Sequence, residues 1–120
     1  MDPNSKNPAT STLNFLAGRA VLAVDCDRLL DVQGPFPLQG AQHCRLTDLN
    51  GEFLDRAAPD YVIVPLFAGG YDAMTAVALL EDLGYRGRIV VLAPFLPKPD
   101  LVERELRQIG PGTRLVLISA

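Results

Sequence analysis

The residues able to do chemistry in this chain are few, and most of them stand at the ends of apolar runs. Asp25 and Asp27 flank Cys26 directly after Val21-Leu22-Ala23-Val24. Two carboxylates at a strand end offer hard oxygen ligands to a cation such as Mg²⁺, at the edge where open α/β sheets hold ligands. The competing role is simpler, a turn cap or a solvated strand end. His43 and Cys44 adjoin, but with Cys26 they form no C-x-x-C spacing, so no metal site is expected and the cysteines read as reduced thiols. Gly69-Gly70 before a helix invites a phosphate cradle. However, neither G-x-G-x-x-G nor a P-loop is present, and Asp72 would repel phosphate, so a tight turn is expected. His43 and Ser119 belong to no nucleophile motif.

The elements that must position these groups alternate in type. Residues 1–18 are expected to be a polar tail and a short helix over Leu13 to Leu16, closed by Gly18. A domain over 19–120 follows. Its first strand is Arg19 to Asp25, a compact apolar run. Gln33 to Gly40 holds two prolines and two glycines, which break any long first crossover helix. His43 to Thr47 reads as a second strand and Asn50 to Ala57 as a short helix. Tyr61 to Leu66, Arg88 to Leu92 and Arg114 to Ile118 read as further strands. Between them lie a helix from Asp72 to Leu83 and another that Asp100 caps with Glu103 and Gly110 ends. Strands alternating with helices imply a parallel sheet with right-handed crossovers.

Pro59-Asp60-Tyr61-Val62-Ile63-Val64-Pro65-Leu66, then Ala68-Gly69-Gly70-Tyr71-Asp72 and a helix, then Leu83 to Arg88 leading into Ile89-Val90-Val91-Leu92, resembles a response-regulator receiver domain. The resemblance covers residues 19–119 and is strongest over 59–93. It implies a flavodoxin-like, three-layer α/β fold with a parallel five-stranded sheet in the order 2-1-3-4-5. It also places the family's phosphorylation pocket on Asp25 and Cys26 for the acidic pair, with Asp27 one residue on. The phosphoacceptor falls on Pro65 and the hydroxyl position on Ala93. No lysine follows Lys98, so the family's cation is missing too. The pocket is therefore vestigial, and an enzyme or a bound cofactor is not expected.

The first and fifth helices of that fold are expected to be missing or reduced, which would leave one sheet face in need of cover. The helix Ala73 to Leu83 is apolar almost all round. Met74, Val77 and Leu80 are expected to cover the sheet, leaving Ala76, Leu79 and Leu83 as an interaction surface. A net charge of −3 argues against a nucleic-acid surface. No apolar run approaches a bilayer span, and the N-terminus lacks a signal-peptide pattern, so a cytoplasmic protein without membrane contact is expected. The resulting expectation is a non-phosphorylatable pseudo-receiver that works in signal transduction through a protein partner or a homodimer. The alternative is a small-molecule or nucleotide-binding α/β domain, such as a fragment of an enzyme.

Overall fold

The computed structural model describes residues 19–26, 41–68 and 70–119. The expected tail and short helix over 1–18, the broken first crossover and Asp27 lie outside them.

Five strands form one parallel sheet: β1 (Val21–Val24), β2 (Gln42–Cys44), β3 (Tyr61–Pro65), β6 (Arg88–Ala93) and β7 (Arg114–Ser119), ordered β2-β1-β3-β6-β7. A separate antiparallel ribbon, β4 (Phe67–Ala68) with β5 (Tyr71–Asp72), intervenes along the chain between β3 and β6. Setting that ribbon aside, the order is the expected 2-1-3-4-5, and the fold is a flavodoxin-like parallel α/β sheet. The central strands are apolar on both sides, as a covered parallel sheet requires.

Among the described residues three α-helices connect the strands: α1 (Gly51–Ala57), α2 (Ala73–Asp82) and α3 (Pro99–Ile109). All three pack on the face carrying Leu22, Val24, Val62, Val64, Ile89, Val91 and Leu115. Each helix starts for a local reason. Asn50 accepts from the Phe53 N–H at 2.7 Å, and Asp72 accepts from the Met74 and Thr75 N–H groups at 3.0 and 3.3 Å. Pro99 opens α3, where its missing donor has no helical partner to lose. The expected cap by Asp100 is therefore replaced by a start two residues earlier, with Lys98 at the cap position and Asp100 inside the first turn.

Glu103 does not close a capping box. Its Oε2 accepts from the Leu117 N–H at 2.7 Å, while Arg107 donates to the Leu115 carbonyl at 3.2–3.3 Å. The two residues also pair with each other at 3.3 Å. Together they occupy backbone groups of β7, the outermost strand on that side.

The opposite face is not bare. Ala23, Ile63 and Val90 are fully buried, with Cys26, Tyr61 and Leu92 nearly so. Exposure on that face appears at β7, where Val116 stands partly open.

Two corrections concern individual elements. The second strand ends at Cys44, because Leu46–Asp48 turns into a 3-10 helix whose first N–H groups are met by Asp48 and Asp25. The face assigned to α2 also moves. Ala76 is 0% exposed and Met74 is 36% exposed, the reverse of expectation. Leu79 and Leu83 are half-buried against the core. The core stripe is Ala73, Ala76, Val77 and Leu80, because α2 packs on α3 as well as on the sheet.

Candidate functional site

β1, β3 and β6 lie side by side and end together at the carboxyl edge of the sheet. That register brings Asp25 and Cys26, Pro65 and Ala93 to one rim.

Asp25 is the organising residue. Its φ is 52°, a left-handed conformation that aspartate tolerates better than most side chains. Its N–H donates to the Cys44 carbonyl at 2.8 Å, and its Oδ2 accepts from the Leu46 N–H at 3.0 Å. The Tyr71 hydroxyl donates to the same Oδ2 in a short hydrogen bond. One carboxylate thus ties the end of β1 to the chain after β2 and to the β4–β5 ribbon. Burial, and then the Asp25 carboxylate, push the Tyr71 phenol well above its ordinary value. The Cys44 thiol is likewise pushed up to about 11, by burial first and then by Asp48 and Asp25. A thiol so disposed is a poor nucleophile at neutral pH.

Cys26 is buried, and its Sγ lies 3.4 Å from the Val24 carbonyl and 3.6 Å from that of Ile63. Pro65 is buried at the end of the central strand, an unusual place for proline. It is tolerated because the pairing of β1 with β3 runs from Val21–Tyr61 to Ala23–Ile63 and stops before Pro65. Leu66 donates to Leu92, so the donor that Pro65 lacks would face the side where β1 has ended. Ala93 is nearly buried against Ser119 in register. The Ser119 hydroxyl donates to the Pro94 carbonyl at 2.9 Å and accepts from the Leu96 N–H at 3.2 Å, which pins the loop after β6.

Gly70, at φ 104°, belongs to the turn joining β4 to β5 and lies before the Asp72 cap. Gly70 is thus part of a hairpin turn rather than of a phosphate cradle, and Gly69 lies outside the described residues. Among the described residues no group of three His, Cys, Asp or Glu side chains is placed to hold a metal.

What the rim does offer is apolar surface. Phe67 is 66% exposed and Phe95 is 78% exposed, on the segments that leave the adjacent strands β3 and β6. Met74 and Leu101, in the first turns of α2 and α3, add to the apolar surface at the same end of the sheet. Sequence reading missed Tyr71 and both phenylalanines. The signal for the latter was available, since each is an aromatic in a short Gly- or Pro-bounded connection where no periodicity buries it.

Among the described residues no helix is long and apolar enough to cross a membrane. The chain matches no protein-family description, and no curated protein matches it in sequence. Among solved structures it is similar to the two-electron reduced flavodoxin of Megasphaera elsdenii, with a TM-score of 0.45 and 11% identity over 83% of each chain.

Proposed function

We propose that the protein is a receiver-like domain without phosphoryl chemistry, acting through protein–protein contact, with a second copy of the chain as the partner of its carboxyl-edge loops. The observation that carries this reading is the exposure of Phe67 and Phe95 on neighbouring connections. Burying a phenylalanine contributes about 1.5–3 kcal/mol, and an apolar patch is complementary to its own copy across a two-fold axis. The vestigial pocket supports the same reading. Pro65 has no nucleophile, Ala93 no hydroxyl, and the Oδ2 of Asp25 already accepts two hydrogen bonds from its own chain.

Sedimentation over a range of concentrations tests the reading. The mass is expected to rise with concentration, and Phe67→Asp with Phe95→Asp is expected to hold it at the monomer over at least a tenfold wider range. A parent chain monomeric throughout, or a double variant that associates equally well, removes the self-association. Incubation with acetyl phosphate and Mg²⁺ is expected to leave the mass unchanged, and a phosphate mapped to Asp25 removes the pseudo-receiver reading.

A further inference from the structure

At the amino end of the sheet, opposite the rim just described, Arg88 and Arg114 begin the neighbouring strands β6 and β7 and are partners in the register. Adjacent strands lie about 4.8 Å apart, and like charges directly opposite in a ladder repel. Among the described residues the ion pairs are Arg56–Glu52, Arg86–Glu81 and Arg107–Glu103, so neither Arg88 nor Arg114 is offset by a carboxylate. One of the two guanidiniums is nonetheless fixed. Arg88 Nη1 lies 2.9 Å from the Tyr61 hydroxyl, and its Cζ sits 5.7 Å from the centroid of the Tyr61 ring. A cleft of about 180 Å³ opens here, lined by Tyr61, Arg88, Arg114, Leu115 and Val116. That is many times the roughly 15 Å³ one water needs.

We propose that this cleft binds the phosphate group of a small phosphomonoester. Two neighbouring guanidiniums present forked donors that match phosphate oxygens. Their combined charge of two suits a dianion better than a carboxylate. Val116 is 40% exposed beside them and supplies an apolar wall for the organic part of the ester. The repulsion between the two arginines, which meet no carboxylate among the described residues, is relieved when the anion bridges them.

The test is an amide chemical-shift titration of the full chain with phenyl phosphate, inorganic phosphate and acetate at constant ionic strength. Phenyl phosphate is expected to give saturable shifts around Tyr61, Arg88 and Arg114 to Val116, and to bind at least threefold more tightly than inorganic phosphate. Acetate is expected to bind tenfold more weakly than either. Arg114→Gln is expected to weaken phenyl phosphate tenfold or more. Arg104→Gln, which removes the same charge from an exposed position on α3, is expected to change nothing. Unchanged binding in Arg114→Gln, an equal loss in Arg104→Gln, acetate as tight as phosphate, or no saturable shift overturns the proposal. Inorganic phosphate binding as tightly as the ester overturns the assignment to an ester and leaves a free-phosphate site.

Discussion

Ala58 closes α1 at φ 43°, ψ 53°, with its N–H bonded to the Leu54 carbonyl at 2.8 Å. A left-handed conformation costs a residue with a Cβ about 1–2 kcal/mol, and glycine avoids that cost. Ala58→Gly is therefore expected to raise stability by about 1 kcal/mol in urea denaturation, despite removing a methyl group. Asp25 shares the conformation but is held there by its side-chain bonds. Tyr71→Phe removes one of them and is expected to cost about 1–3 kcal/mol, since a partly buried carboxylate loses a donor. The same groups set a pH dependence. Tyr71 and Tyr85 hold their protons more tightly when folded, as does Cys44. The unfolded chain therefore releases protons first as pH rises. Stability fully present below about pH 9 is expected to fall through pH 9–11 for Cys44 and from about pH 10 upward for the phenols. Urea midpoints at pH 8 and pH 10.5 check this, and Tyr71→Phe is expected to show the smaller loss. Asp25 was legible in the sequence because it ends an apolar run. Tyr71 was not, because its partner lies 46 positions away and no local pattern joins them.

At the scale of elements, α2 separates what a hydrophobic pattern can reveal from what it cannot. Its existence and extent were readable from the Asp72 cap and the apolar run. Its rotation was not, because alanines on several sides leave the apolar stripe undefined to within about one residue's 100°. The structure settles it with small residues inward. Ala73 and Ala76 let α2 approach the sheet, and a Cβ on Gly110 would come within 2.6 Å of Val77 Cγ1. Ala76→Leu is accordingly expected to destabilise by about 1–3 kcal/mol through overpacking, whereas Met74→Glu is expected to stay within about 0.5 kcal/mol. Thermal unfolding of the two variants distinguishes this rotation from one with Met74 inward. Four of the five main strands were legible because their apolar runs are compact and bounded by turn residues, whereas β2, Gln42–Cys44, carries no such run and its end was misplaced. The β4–β5 ribbon, two residues on each side, is too short to leave any periodicity.

Across the whole molecule the two proposed surfaces occupy opposite ends of the same strands. β6 runs from Arg88 in the cleft to Ala93 below the Phe95 loop, and six residues of strand at about 3.3 Å each put roughly 20 Å between them. Changes that far apart with no shared partner usually add. Phe67→Asp with Phe95→Asp is therefore expected to leave phenyl phosphate affinity unchanged within twofold. Arg114→Gln is expected to leave the concentration dependence of the mass unchanged. A combined variant whose effects depart from additivity would show that the sheet couples its two ends.

The hold of α3 on β7 bears on how large any assembly of this chain can become. An outermost strand with open N–H and C=O groups is a template on which further chains can stack without limit. Here the Leu117 N–H is taken by Glu103 and the Leu115 carbonyl by Arg107, so an incoming backbone meets bonds already made. The proposed association would thereby be steered toward side chains and a closed, countable complex instead of a growing fibril. Glu103→Ala frees the Leu117 donor and leaves Arg107 without its partner. The variant is expected to form thioflavin-positive polymer at concentrations where the parent solution stays clear, and a clear variant would place the barrier to polymerisation elsewhere in the chain.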